Sequence, residues 1–262
     1  RLLVSFARTP PSAGPAVAGA LLSALHAPLL LHPKAAVRKP LLDLAAAGMA
    51  GTAAERSSGP FDAGASLLAR MAESDKDATV RAKALTLLAA EASALSQRAT
   101  GGGGGRISDG SNSSSDSESG ASAGGKGVMA AVRGAVVSRL LDGSKVVRRG
   151  ALQLLSKLVA EAQSASGAPS GQQGCRDAGS TAPGAQSCAA GVLKGAFAHL
   201  LVLAEAPPAS SAYDEPCQSA AAALLRQLPP LVGARAALGL ALGCGSDAGA
   251  SLLTEALLED MV

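Results

Sequence analysis

The chain has 262 residues and a net charge of +3; 48% of it is hydrophobic but only 2% aromatic, with no Trp and a single Tyr. That apolar content is Ala, Leu and Val, which suits closely packed helices and leaves few strand formers. So small a net charge carries no argument for a polyanionic partner by itself, and four cysteines (Cys175, Cys188, Cys217, Cys244) with no CxxC and no zinc spacing exclude a metal module and point to a reduced compartment.

Periodicity and breakers place helices in pairs along the chain. Pro15 to Leu31 and Lys34 to Ala50 form the first pair, with Pro33 at the turn. Phe61 to Ala72 pairs with Asp77 to Gln97, Val128 to Leu141 with Ser144 to Ala162, and Ser187 to Ala204 with Glu215 to Leu228. A fifth pair is expected from Leu231 to Leu242 and Asp247 to Met261, and a helical pattern running to the last residues reads as a piece of a longer protein. The apolar runs 16–31 and 189–203 are short and carry His26 and Pro28, or Lys194 and His199, so they are expected as buried helices and not as membrane spans. Two tracts stand apart. Residues 99–127, with five consecutive glycines and an acidic serine cluster, and residues 164–186, rich in Gly, Ser, Gln and Pro, bury too little apolar surface to offset backbone entropy and are expected as disordered loops. The helical regions are then 1–98, 128–163 and 187–262.

Two segments repeat each other. Asp75 leads to Val80-Arg81 and on to Ala84-Leu85-Thr86-Leu87-Leu88; Asp142 leads to Val147-Arg148 and on to Ala151-Leu152-Gln153-Leu154-Leu155. Val37-Arg38 with Leu41, Leu42 and Leu44 is a third copy, and Asp214 with Ala223-Leu224-Leu225 keeps the aspartate and the Ala-Leu step without Val-Arg. Once the Gly/Ser tract of about 28 residues is subtracted, the period is about 40, within the range of helix-pair repeats of the HEAT and armadillo type. The expected fold is therefore all-α: an α-solenoid of antiparallel HEAT-like helix pairs with two disordered low-complexity loops. Val80, Ala84, Leu85 and Leu88, like Val147, Ala151, Leu152 and Leu155, follow one helical face and should be core. Asp77 and Ser144 stand three residues before the valines, where an oxygen can cap the first turn; Pro216 holds the matching place in the fourth unit, where a missing N–H matters little.

Catalytic chemistry has little to stand on. His26, His32 and His199 are isolated, and no HExxH, GxSxG or carboxylate cluster occurs, so neither enzyme activity nor a metal, cofactor or small-molecule substrate is expected. Gly120 to Gly127 imitates a phosphate loop, but Gly127 replaces the hydroxyl that would hold Mg²⁺ and no strand precedes it. Ser113 and Ser115, each with an acid three residues on (Asp116, Glu118), are candidate phosphorylation sites for an acid-directed kinase. Basic residues cluster around the Val-Arg turns. Lys34, Lys39, Lys83, Arg133, Arg139, Lys145, Arg149 and Lys157 are candidates for sequence-independent contact with DNA backbone, provided that successive turns align on one edge.

The run from Arg139 through Asp142 and Val147-Arg148-Arg149 to Leu155, preceded by the Asp75 to Leu88 copy and an insertion, resembles consecutive repeats in the large D-type HEAT subunits of condensin, most of all the condensin II version. The likeness to HEAT repeats in general implies that Asp75, Arg81, Asp142 and Arg148 form a structural ladder between repeats. The likeness to condensin also implies a non-catalytic scaffold in the nucleus, on chromosomes, that docks on the kleisin and SMC subunits and grips DNA during mitotic chromosome condensation and cell division. A HEAT adaptor of another class, such as a transport receptor, phosphatase scaffold or tubulin-binding array, is the alternative.

Overall fold

The computed structural model describes residues 17, 20–22, 29–50, 59–101, 124–166, 183–208, 210 and 214–243. The expected helices 15–31 and 247–261 lie largely or wholly outside these residues, as do most of both expected loops, Ser113 and Ser115 included. Among the described residues the structure is helical and contains no strand. The helices are α1 (Ala35–Met49), α2 (Gly59–Ser74), α3 (Ala78–Ala90), α4 (Ala92–Gly101), α5 (Gly124–Leu140), α6 (Lys145–Ser166), α7 (Pro183–Ala204), α8 (Glu215–Arg226), α9 (Leu228–Val232) and α10 (Ala234–Gly243).

Helix α3 starts where the sequence says it should. The Asp77 carboxylate accepts the N–H groups of Thr79 (2.8 Å) and Val80 (3.3 Å), satisfying donors that the first turn leaves open. In α8 a proline occupies the first turn. The expected helix 77–97 is in fact two, broken at Glu91, whose N–H turns back to the Leu88 carbonyl. The break lets α4 pack against α6 and α7, with Ala92, Ala94 and Leu95 buried, while Arg98 returns to Asp62 of α2. The expected helix 231–242 is also divided. Gly233 closes α9 at φ 85°, a conformation that a side chain disfavours, and α10 begins at once. Helical structure reaches into the margins of both expected loops, up to Gly101 and from Gly124, then up to Ser166 and from Pro183. Gly125 and Lys126, the end of the phosphate-loop imitation, thus lie within a helix.

The helices meet in two series. Along one, α2 packs on α5 and α5 on α7; along the other, α1 packs on α3, α3 on α6 and α6 on α8. Within each expected pair, α2 packs on α3, α5 on α6 and α7 on α8. The stripe residues Val80, Ala84, Leu85, Leu88, Val147, Ala151, Leu152 and Leu155 are all buried, as are Leu41, Leu42, Leu224 and Leu225 of the flanking copies. Each buried Leu or Val contributes about 1.5–3 kcal/mol, so this aliphatic seam is what holds the pairs together.

Two glycines separate close approach from empty space. A Cβ on Gly64 of α2 would lie 2.7 Å from the Ala45 carbonyl oxygen and 2.9 Å from Met49 Cγ, so α1 and α2 touch nearly backbone to side chain there. A Cβ on Gly191 of α7 would meet nothing within 4 Å. Gly64→Ala should therefore lose about 1–3 kcal/mol to overpacking. Gly191→Ala should gain about 0.5–1 kcal/mol by removing backbone freedom from the unfolded chain. Urea unfolding of the two variants checks both the signs and their opposition.

Candidate functional site: an arginine and aspartate ladder along the turns

The turn before each second helix begins with a polar side chain that folds back on its own backbone. Asp75 Oδ1 accepts the N–H of Asp77 at 2.8 Å, and Asp142 Oδ1 accepts that of Ser144 at 2.9 Å. In the first unit His32 stands at this place, and its Nδ1 accepts the N–H of Lys34 at 3.2 Å. In the fourth unit Pro216 has no N–H to give, and the Cys217 thiol donates to Asp214 Oδ2 instead, at 3.0 Å.

The arginine six residues on closes each of the first three turns. Arg38 Nη1 donates to the carbonyls of His32 (2.6 Å) and Pro33 (3.0 Å); Arg81 Nη1 donates to those of Asp75 (2.8 Å) and Lys76 (3.0 Å). Arg148 Nη1, in a residue almost wholly buried, donates to the Asp142 carbonyl at 2.7 Å. The guanidinium groups of Arg38 and Arg81 then reach the next unit. Arg38 grips Asp75 with two bonds of 2.7 Å, and Arg81 Nη2 meets Asp142 Oδ1 at 2.9 Å. Arg139 Nη1 takes the other oxygen of Asp142, also at 2.9 Å, which leaves Arg81 one oxygen and its buried Nε without a partner. Asp214 is gripped by Arg149, one residue beyond the expected Arg148, with bonds of 2.8 and 2.7 Å. Asp75, Asp142 and Asp214 keep 2, 3 and 5% of their side-chain surface exposed, so each carboxylate is spent inside the ladder.

Titration follows from these contacts. Burial pushes the Asp142 carboxyl up, but hydrogen bonds from Arg81, the Ser144 N–H and Arg139, with the charge of Arg81, outweigh it and hold it below the usual range. Hydrogen bonds from Arg149 and then Cys217 hold Asp214 far below the usual range, while the bond to Asp75 raises Arg38 and that to Asp214 raises Arg149. Burial, then the bond to Asp214 and its charge, push the Cys217 thiol from an ordinary 9.0 up to about 11.

Of the four expected ladder residues, Asp75, Arg81, Asp142 and Arg148 all take part, but the pairing across units is Arg38 to Asp75, Arg81 to Asp142 and Arg149 to Asp214. Arg148 donates to the Asp142 carbonyl of its own turn. Three of the residues expected to contact DNA backbone are engaged with acids: Arg139 with Asp142, Arg149 with Asp214, and Lys83 with Asp43 at 2.6 Å. Lys34, Lys39, Arg133, Lys145 and Lys157 are exposed, without an acid in ion-pair range among the described residues. They do not form one stripe. Lys34, Lys39 and Lys145 lie at the laddered turns; Lys157 is about 18 Å further along α6 than Lys145, and Arg133 belongs to α5. His32 and Cys217 were missed as turn residues, although their alignment with the aspartate and with the fourth-unit proline was visible.

No group of metal-ligating side chains occurs among the described residues, and no helix there is long and apolar enough to cross a membrane. Comparison with models of protein families, with curated proteins and with solved structures finds no match.

Asp142→Ala would strand Arg81 and the Ser144 N–H together and should cost about 3–5 kcal/mol. Breaking the exposed pair of Lys83 and Asp43 should cost about 1 kcal/mol or less. Chemical denaturation of both variants at neutral pH reads the difference.

Acid and alkali should each weaken the fold. Because the Asp142 and Asp214 carboxyls are depressed on folding, their contribution is present above the unfolded value, about 4, and is lost as pH falls below it. The Cys217 thiol is raised, so its contribution is intact below 9.0 and lost as pH climbs toward about 11. Melting temperatures of Cys217→Ala should be flatter than those of the parent between these two values, and should fall less in acid, because Asp214 loses the thiol bond that helps hold its carboxyl down.

Proposed function

We propose that the chain is part of an α-solenoid of HEAT-like helix pairs, working as a non-catalytic scaffold subunit of a condensin-type complex in the nucleus. Its partners would be the kleisin and SMC subunits, with sequence-independent contact to DNA backbone during mitotic chromosome condensation. One observation carries the proposal: the second and third units repeat a turn with an aspartate and a Val-Arg step, and arginines of three consecutive units reach an aspartate of the next by direct side-chain bonds. Such a ladder suits HEAT arrays in general, and the resemblance of Asp75 to Leu88 and Arg139 to Leu155 to condensin HEAT repeats is what directs the reading to condensin. The ladder consumes the polar groups of the turns in holding units together, which suits a platform better than a reaction centre.

A HEAT adaptor of another class is the second reading, favoured by the loss of Lys83, Arg139 and Arg149 to acidic partners. Each ion pair removed from the basic set lowers the number of phosphates the surface can neutralise.

Capture by the cognate kleisin, together with duplex DNA binding across a salt series, decides between them. On the condensin reading the kleisin is retained and DNA affinity falls steeply with salt. Changing Lys34, Lys39, Lys145 and Lys157 to Ala should lower the log–log salt slope by about 0.9 for each phosphate that the surface no longer neutralises. A protein that neither retains kleisin nor shows salt-dependent DNA affinity is not a condensin subunit.

A further inference from the structure

The ladder has a consequence for the surface above it. Because direct bonds join the turn of each unit to the next, the turns of the first three units lie side by side on one edge. Their aspartates point inward and are nearly inaccessible, while Lys34, Lys76 and Lys145 at the same turns are exposed. Asp77, the remaining acid of the middle turn, caps α3, keeps its negative charge and acts on Lys39 of the first unit, itself exposed. Glu73 leans away over α5, its Oε1 3.9 Å from where a Cβ on Gly134 would sit. Exposed Lys34, Lys39, Lys76 and Lys145 against the one carboxylate of Asp77 leave the edge net cationic at its surface. Exposed Glu205 and Glu215 flank the fourth turn and end the positive run there.

The same edge displays aliphatic side chains that the fold does not cover. Leu31, immediately before His32, is 83% exposed; Leu141, immediately before Asp142, is 42% exposed; Val146 in the same turn is 64% exposed. Leu31 and Leu141 hold equivalent places two units apart. The middle turn has Ser74 and Thr79 at the corresponding places, so apolar contacts flank a polar and basic centre. A nucleic-acid backbone makes no use of Leu31 or Val146; a peptide with apolar side chains does.

We infer that the turn edge of the first three units is a docking strip for an extended acidic peptide with an apolar side chain near each end of the contact. Adjacent helices pack 8–10 Å apart, so the first and third turns are about 20 Å apart, and an extended chain covers that in about six residues. One apolar residue of the peptide sits on Leu31, the other on Leu141 and Val146, and its carboxylates face Lys34, Lys76 and Lys145. The strip rests on the turn edge alone and not on the condensin assignment.

Fluorescence anisotropy with the full chain tests it. The probe is a labelled peptide with two leucines about six residues apart, aspartate and glutamate between them, and a second version has both leucines replaced by alanine. The leucine version should bind at least about tenfold more tightly than the alanine version. That advantage should vanish in Leu31→Ser with Val146→Ser, and all binding should vanish in Lys34→Glu with Lys145→Glu. These side chains are exposed, so the melting temperature of each variant should match the parent and exclude misfolding as the cause. Equal binding of the two peptides overturns the inference, as does a short DNA duplex displacing the peptide from parent and serine variant alike. Kleisin capture is read separately. Its failure with peptide binding intact would remove the condensin reading and leave the strip standing; the converse would remove the strip alone.

Discussion

The constraint on which the structure depends is the buried carboxylate between turns. Asp75, Asp142 and Asp214 cannot stay charged out of water without donors on their oxygens; each takes one from its own turn, Asp142 a second from Arg139 just before it, and a buried carboxylate needs more than these. The rest must come from a neighbour. Arg38, Arg81 and Arg149 provide it, and two of them also hold the carbonyls of their own turn, so one guanidinium binds together the end of one unit and the start of the next. A planar fork with fixed donor directions admits few angles between the helices it joins, whereas an aliphatic seam of Leu, Val and Ala admits many. Stability comes from the seam and register from the ladder, consistent with buried ion pairs adding specificity more than net free energy.

The same geometry is reached by different chemistry at the two ends. His32 reproduces the backbone acceptor of an aspartate through Nδ1, but it brings no negative charge for a preceding arginine. At Asp214 the proline removes the backbone donor, and a thiol is recruited from the next residue. Among the described residues, the groups with displaced titration, Arg38, Asp142, Arg149, Asp214 and Cys217, are members of the ladder, and Asp77 is a helix cap. Displacement often marks catalysis; here each case has a structural partner that accounts for it.

Sequence made the core legible because its signal is local. Val80, Ala84, Leu85 and Leu88 recur within one helical face, and burial of that face follows from the period alone. It could also tell that Asp75 and Arg81 belong to one device. It could not tell which arginine meets which aspartate, since the partners are 37, 61 and 65 positions apart and a one-residue shift from Arg148 to Arg149 leaves no local trace. The two helix breaks differ in kind. Gly233 after Pro229 and Pro230 is a stop signal that was present and passed over, whereas the break at Glu91 lies in a run of good helix formers and follows from the packing of α4 on α6 and α7. Counting cations failed for the same reason as pairing: Arg139 and Arg149 look free in one dimension and are bound in three.

Burying acids to join units also decides the sign of what remains outside. A surface pair of Lys and Asp cancels, because both charges face the same solvent. When the aspartate turns inward to an arginine, the arginine is neutralised in the interior, and the lysines of the turn are left outside with fewer acids beside them, Asp77 near Lys39 and Asp214 near Lys145. Net charge is unchanged by this rearrangement, yet the potential along the edge is not. A chain at +3 can therefore present a basic ribbon at the first three turns and an acidic end at the fourth, where Glu205 and Glu215 are exposed. The ladder that sets the angle between units thus also sets which charges a partner meets, and the two properties cannot be altered independently at Asp75 or Asp142.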